Sequence, residues 1–129
     1  MFKYLSLFSL LLTLSTSAIS VNAGNYAYYG FEPDIVTNYV ASKQKVGYVR
    51  LTVELMVEGD NLTIVEHHAP LLRDAIISII GQQEEAKVKS IKGRSDIQLE
   101  CEEQVKELLI QETGEPLVKK LLFTQWLDN

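Results

Sequence analysis

The sequence predicts an α+β fold in which a small antiparallel or mixed sheet packs on two helices, in the order strand, strand, helix, helix, strand. Two observations predict it. Residues 48–58 alternate apolar and polar side chains with the period of two that a strand requires. Residues 64–80 and 95–114 instead repeat apolar side chains every three or four positions, as an amphipathic helix does. Because both kinds of element must bury their apolar face, a sheet backed by two helices follows.

Length and composition indicate one domain with a substantial core, since the chain has 129 residues of which 47% are hydrophobic. The formal net charge is -5, and no run of Lys and Arg is long enough to follow a phosphate backbone, which disfavours nucleic acid as a partner. The single cysteine, Cys101, cannot form an internal disulfide. It lies on the apolar face of its helix between Glu100 and Glu102, which predicts a small core residue and not a nucleophile.

Residues 1–23 have the three parts of a secretory signal peptide. Lys3 supplies the positive start, residues 5–19 form an apolar run, and Val21 and Ala23 have the spacing of a small-residue cleavage site. The alternative is an uncleaved membrane anchor. The apolar run is dotted with Ser and Thr and is shorter than the about 20 apolar residues of a spanning helix, which favours cleavage.

Three strands are expected after an extended aromatic lead-in over residues 24–33. The domain itself is assigned to residues 34–129, and its first strand covers residues 34–40. The closing strand, within residues 117–129, carries apolar side chains on both faces, which predicts a central or doubly covered strand. The second strand is the clearest, and its apolar face contains Val49, Leu51, Val53, Leu55 and Val57.

The first predicted helix has a capping signal and a break. Thr63 and Glu66 have capping-box spacing at its start. Pro70 has no amide hydrogen to bond the carbonyl of Glu66, so a kink or a late start is expected there.

The second predicted helix is bounded by capping residues at both ends. Ser95 and Gln98 have capping-box spacing, and Gly114 is a typical C-cap. Between the two helices, residues 84–93 ("EEAKVKSIKG") fit either a short strand or an ordered loop.

The triplet Glu66-His67-His68 is the only stretch that suggests metal chemistry. Adjacent residues of a helix point about 100° apart, whereas zinc-binding helices place ligands four positions apart. The residues four positions after the histidines are Leu71 and Leu72. His68 shares the apolar stripe and is expected to be packed or hydrogen-bonded. We therefore expect no metal at the histidines. The lack of a GxSxG motif and of a phosphate-binding glycine loop favours a binding or assembly protein over an enzyme.

Candidate partner contacts fall in two places. Residues 26–31 form an aromatic cluster, and aromatic side chains are over-represented at contact surfaces. This cluster either docks on a neighbour, closes over a pocket or covers the sheet. In "LLRDAIISII", two charges interrupt an apolar run, either as surface charges or as a contact with a neighbouring subunit. The candidate contact residues are Tyr26, Tyr28, Tyr29, Phe31, Arg73 and Asp74.

Five segments, taken in order, resemble the FliL family of flagellar basal-body proteins over about residues 34–127. They read "DIVTNYV", "YVRLTVELMVEG", "HAPLLRDAIISIIGQQ", "KGRSDIQLECEEQVKELL" and "VKKLLFTQWL". The residues that carry the resemblance are Asn38, Pro70, Leu72, Arg73, Asp74, Gly93, Phe123 and Gln125.

The resemblance implies a non-enzymatic protein at the flagellar base, with no cofactor and a fold similar to the stomatin-type (SPFH) domain. It also implies self-association into rings around the motor stator, which such proteins support in swimming and swarming. Family members typically begin with a cytoplasmic segment, a transmembrane helix and a linker. Here a signal peptide stands in their place, which predicts a periplasmic protein that contacts the inner membrane only if residues 1–23 stay uncleaved. The alternative is a soluble periplasmic binding module of the same fold with no motor role.

Overall fold

The structure, a computed structural model, describes residues 25–42 and 46–129. The predicted signal peptide, residues 1–23, lies outside the described residues. Four antiparallel strands and four helices follow one another in the described part of the chain, and a 3-10 turn, Gly59–Asn61, joins the third strand to the first helix. The elements are β1 (Tyr26–Gly30), β2 (Ile35–Tyr39), β3 (Gly47–Glu58), α1 (Leu62–His67), α2 (Ala69–Gly81), α3 (Glu85–Lys89), α4 (Ile91–Thr113) and β4 (Val118–Asp128).

The long strand β3 is the centre of the sheet. Strands β2 and β1 run end to end along one edge of β3, where Ile35 pairs with Leu51 and Tyr29 pairs with Leu55. Strand β4 pairs with the other edge, where Leu121 also lies opposite Leu55. The predicted α+β class is confirmed, whereas the prediction that the closing strand is central is wrong.

Two bulges in β4 explain that error. The register shifts between Thr52 and Val53 and again between Met56 and Val57, so Thr124 and Lys119 are extra residues in β4. A strict period of two puts Val118, Leu121, Phe123 and Trp126 on different faces. The bulges bring all of them to the side of the sheet that faces the helices, because their partners are odd-numbered residues of β3: Val57, Leu55, Val53 and Leu51.

The predicted apolar face of β3 is confirmed as the floor of the core. Each of its five predicted residues is at most 1% exposed. Helices α2 and α4 supply the roof, and together with β3 they form one continuous cluster. The residues of α2 and α4 with no exposed surface are Leu72, Ile76, Ile80, Ile97, Cys101, Val105 and Leu109.

The aromatic segment after the predicted cleavage site is part of the sheet. The sequence assigned residues 24–33 to an extended lead-in ahead of the domain. Tyr26–Gly30 is extended, but it forms β1 and pairs with Glu54–Glu58 of β3 over its whole length.

The helix break at Pro70 is confirmed. His68 separates α1 from α2 with φ -94° and ψ 2°, and Pro70 lies in the first turn of α2, where its missing amide hydrogen costs nothing. The predicted capping box is not formed. Helix α1 begins at Leu62, so Thr63 lies inside the first turn, and no side chain caps the helix at Asn61.

Residues 85–89 and 91–93 are helical, and Glu84 forms only an isolated bridge with Val40, so neither the predicted strand nor the predicted loop is correct. They contain α3 and the start of α4, which is capped by the Ser90 hydroxyl accepting a hydrogen bond from the Gly93 amide at 2.9 Å. The cap of α4 is therefore Ser90, and the prediction of a cap at Ser95 places the start of this helix too late. At Gly93 a Cβ atom would clash with the Lys87 carbonyl oxygen, so only glycine lets the two helices approach this closely. The C-cap prediction is confirmed by Gly114, with φ 87°.

Candidate interaction surface

One face of the sheet is not covered by any of the described residues, and we call it the outer face. It carries two of the four aromatic side chains that the sequence predicts as partner contacts. The helices cover the opposite face, to which the odd-numbered residues of β3 point. On the outer face Tyr26 pairs with Glu58 and Tyr28 with Met56, and the two tyrosines are 45% and 54% exposed. Further apolar side chains on this face are Val36, Tyr48, Met56, Leu122 and Leu127.

The other two aromatic residues of the cluster point into the protein. Phe31 is 1% exposed, and the Tyr29 ring meets it edge to face with the ring centroids 5.1 Å apart. The sequence grouped all four aromatic residues as one contact, but the alternation of β1 divides them between the two faces of the sheet. Phe31 is therefore a core residue, and only Tyr26 and Tyr28 present large exposed rings.

Arg73 and Asp74 are also divided by the structure. The Arg73 guanidinium lies over the Phe31 ring, 5.5 Å from its centroid, and donates a hydrogen bond to the Pro33 carbonyl at 2.6 Å. The Arg73 side chain thus links α2 to the connection between β1 and β2. The two roles predicted from the sequence, a surface charge or a contact with a neighbouring subunit, did not include this link. Asp74 is exposed on the same helix.

A polar network crosses the outer face of the sheet. Asp34 accepts hydrogen bonds from Arg50 Nε at 3.0 Å and from the Thr52 hydroxyl at 3.1 Å. The same hydroxyl lies 3.2 Å from Gln125 Oε1, so the network links the β2 side of the sheet to β4. Hydroxyl and carboxylate groups held in this way fix the relative positions of three strands.

The histidine pair lies at the end of α1, where His67 is the last helical residue and His68 follows it. The ring nitrogen Nδ1 of His68 donates a hydrogen bond to the Ile64 carbonyl at 2.8 Å, which confirms the expectation of a hydrogen-bonded histidine. His67 is exposed, and the two rings meet edge to face at 5.2 Å. Within residues 25–42 and 46–129, no three His, Cys, Asp or Glu side chains are grouped as a metal site.

Helix α4 covers the outer edge of β4 at one point. The Leu121 amide donates a hydrogen bond to Glu102 Oε1 at 2.8 Å, and Gln98 Nε2 donates to the Leu121 carbonyl at 2.9 Å. The other oxygen of the same carboxylate, Glu102 Oε2, lies 3.6 Å from Lys106 Nζ, one turn further along α4. The hydrogen bonds to Leu121 were not predicted from the sequence. Gln98 and Glu102 lie four positions apart on the sheet-facing side of α4, and this spacing could have indicated a shared contact.

Beside this contact, a cleft of about 300 Å³ lies between the start of α4 and β4. The Arg94 guanidinium stacks on Trp126, 5.4 Å from the ring, and donates to Asp128 Oδ1 at 2.9 Å. The Trp126 Nε1 donor is buried without an acceptor among the described residues. At the rim of the cleft Ile91 is 88% exposed.

Cys101 is a core residue, as predicted. Burial raises the pKa of its thiol to about 12, and the neighbouring Glu100 carboxylate adds to the rise. A thiol with so high a pKa stays protonated at neutral pH and is a poor nucleophile.

None of the helices in the described residues is long and apolar enough to cross a membrane. The longest, α4, has 23 residues, and its exposed side carries many charged residues.

Comparison with known proteins finds the family described as "Flagellar basal body-associated protein FliL", whose model matches residues 28–127. The chain is also similar to "Flagellar protein FliL" of Aquifex aeolicus (strain VF5). The two are 27% identical over 100 residues, which cover 77% of this chain and 59% of the relative. The chain thus spans less than two thirds of that relative's length. The matched region begins within β1, ends one residue before the end of β4 and contains every helix described above.

Proposed function

The chain belongs to the FliL family of flagellar basal body-associated proteins, because the family model matches residues 28–127, and we propose that it is a periplasmic, self-associating subunit that supports the motor stator. In this role it acts in swimming and swarming, as a flagellar accessory protein and not as an enzyme. Its partners are stator or other basal-body proteins and further copies of itself. It contacts the inner membrane only if residues 1–23 stay attached.

The single observation that carries the proposal is the extent of the family match. Residues 28–127 include the last three residues of β1, nearly all of β4, the two strands between them and the four described helices, so the match covers almost all of the described fold. The relative of Aquifex aeolicus is itself named as a flagellar protein. The similarity of this domain to stomatin-type domains stays a prediction.

The open face of the sheet supports a binding role. Tyr26 and Tyr28 are about half exposed, and apolar neighbours on β3 and β4 extend the same surface. Tyrosine gives a large contact area at a low cost in side-chain entropy and is enriched at protein interfaces. The fixed polar network of Asp34, Arg50 and Thr52 would hold such a surface in one shape.

The periplasmic location is supported by the N-terminal sequence. A positive start, an apolar run and a small-residue cleavage site precede the domain, and these are the parts of an export signal. Export would bring the domain to the compartment into which the stator's periplasmic parts extend.

A deletion strain tests the proposal. Swimming in liquid and swarming on a surface are measured, and filaments are counted by microscopy. Poor movement with a normal number of filaments, restored by the gene supplied in trans, is expected for a protein that acts on the motor. Unchanged movement in both assays would contradict the motor role and favour the periplasmic binding module.

A further inference from the structure

Part of the outer edge of β4, the edge that faces away from β3, carries backbone groups without partners among the described residues. Leu121 shows which groups lie on this edge, because it pairs with Leu55 of β3 while its amide and carbonyl bond to α4. Since backbone groups alternate between the two edges of a strand, the later residues of β4 that pair with odd-numbered residues of β3 also turn outward. These are Phe123, Trp126 and Asp128, and none of the described residues outside the sheet bonds to their backbone groups.

This open stretch of edge is short. Trp126 and Asp128 are two positions apart, as the outward residues of a regular strand are. The bulge at Thr124 separates them from Phe123, and α4 closes the edge at Leu121. Bulges and covering helices keep an edge from pairing with a whole second sheet. The edge therefore fits a segment of a few extended residues and not a continuous neighbouring sheet.

The cleft between α4 and β4 lies beside this edge, since Phe123 and Trp126 also line it. Their rings are 5.4 Å apart and form an apolar wall on the β4 side. On the α4 side Ile91 is 88% exposed, the largest exposed fraction among the large apolar side chains of the described residues. An apolar side chain held between Ile91 and the two rings would remove apolar surface from water on both sides of the cleft.

The charged groups around the cleft are already paired. Arg94 lies 2.9 Å from an Asp128 carboxylate oxygen, and Lys92 lies 3.0 Å from Asp96. The Trp126 Nε1 donor, in contrast, has no acceptor among the described residues. Paired cations and an unused neutral donor favour an uncharged group with acceptors, such as a peptide carbonyl, over a phosphate or an anionic lipid head group.

We propose that this cleft binds an extended segment of a partner protein. The main chain of the segment pairs with the open edge at Trp126 and Asp128. One of its apolar side chains lies in the cleft against Ile91, Phe123 and the Trp126 ring. In such strand addition the main-chain bonds give affinity and the pocket for a side chain gives specificity. The outer face of the sheet takes no part in this contact, and the inference does not depend on the motor role.

Fluorescence of the protein, purified from cells that make the full chain, tests the proposal. Trp126 is the only tryptophan of the chain, so its emission reports on the cleft directly. The probe is the peptide Thr-Leu-Thr-Leu-Thr, acetylated and amidated so that it has no terminal charges. We expect a saturable shift of the emission to shorter wavelength, because a bound leucine side chain excludes water from the ring.

Two control peptides separate the parts of the contact. One has serine in place of both leucines and keeps the main chain. The other keeps the leucines and is N-methylated at alternate peptide bonds, which removes main-chain donors. Each should bind about tenfold more weakly or worse, since it loses either the buried side chain or the bonds to the edge. Equal affinity of the N-methylated peptide and the parent peptide would contradict pairing with the edge.

Ile91→Ser tests the cleft from the side of the protein. Ile91 is exposed, so the variant keeps its fold, which circular dichroism checks, and its affinity for the parent peptide should fall about tenfold. Ile110→Ser is the matched control, because Ile110 is 49% exposed near the other end of α4, and its affinity should not change. Equal affinities of the two variants would overturn the proposal.

Three further results would also overturn it. The first is the lack of a saturable shift with the parent peptide up to its limit of solubility. The second is a shift that appears without peptide when the protein concentration is raised, which would assign the cleft to a second copy. The third is a shift with phosphatidylglycerol vesicles and none with the peptide, which would assign it to a lipid surface. The motility assay reads the proposed function separately from all three.

Discussion

The Leu121 amide, in the first half of β4, donates to the Glu102 carboxylate on α4 at 2.8 Å. Together with the bond from Gln98 to the Leu121 carbonyl, this contact closes an edge that would otherwise be unpaired at that residue. The two bonds also connect α4 directly to the backbone of β4, so this pair of side chains helps to position the helix along the strand.

Replacing Glu102 by Leu should destabilise the protein. The Leu121 amide would lose its acceptor in a half-buried position, and an unsatisfied buried donor costs about 1–3 kcal/mol. The free energy of unfolding, measured by urea denaturation, should fall by that amount. Glu103→Leu, on the exposed side of the same helix, is the control and should change it by less than about 0.5 kcal/mol. Equal effects of the two variants would contradict the role of Glu102.

Replacing Arg73 by Leu should also lower stability. The variant loses the hydrogen bond to the Pro33 carbonyl and the contact of the guanidinium with Phe31, which together are worth about 1–3 kcal/mol. Thermal unfolding followed by circular dichroism should show a lower Tm. The neighbouring Asp74→Leu is the comparison, since Asp74 is exposed. If Arg73 serves only as a contact with another subunit, Tm will not change.

Replacing Trp126 by Phe should leave stability unchanged or raise it. The phenylalanine ring keeps much of the contact with Phe123 and Arg94 and removes the buried Nε1 donor that has no acceptor among the described residues. Trp126→Ala removes the ring as well and should cost about 2 kcal/mol or more, because a cavity forms beside the core. Urea denaturation followed by circular dichroism measures both. A loss in Trp126→Phe as large as that in Trp126→Ala would show that the indole nitrogen has a partner.

Cys101 should make stability depend on pH in the alkaline range. Its thiol has a pKa of about 12 in the folded protein and an ordinary value of 9.0 when unfolded. Since the folded state holds the proton more tightly, the contribution is fully present below pH 9.0 and is lost as pH rises toward 12. The drop in unfolding free energy between pH 8 and pH 10.5 should be smaller in Cys101→Ala than in the parent. Equal drops would contradict a buried, protonated thiol.

The regular parts of this fold could be predicted because their causes are local. The alternation in β3, the break at Pro70 and the C-cap at Gly114 each depend on residues close together in the sequence. The start of α4 depends in addition on its contact with another helix. Ser90 and Ser95 are both plausible caps, and the choice is decided by the approach of Gly93 to Lys87 in a different helix.

The candidate surface was predictable only in part. The tyrosines at positions 26 and 28 were identified from composition, but the assignment of Phe31 to the same surface ignored the alternation that a paired strand imposes. The faces of β4 could not be read from a period of two, because the bulges at Lys119 and Thr124 depend on the register with β3. The bonds from Gln98 and Glu102 to Leu121 depend on how α4 lies along β4, which the sequence alone does not give.

The rotation of single motors tests the central claim most directly. Beads of increasing size are attached to filament stubs of the parent, the deletion strain and the complemented strain, and rotation speed is recorded at each load. If the protein supports the stator, motors of the deletion strain should rotate nearly as fast as those of the parent at low load and progressively slower than them as the load increases. Equal speeds of the deletion and parent strains at every load would contradict the account.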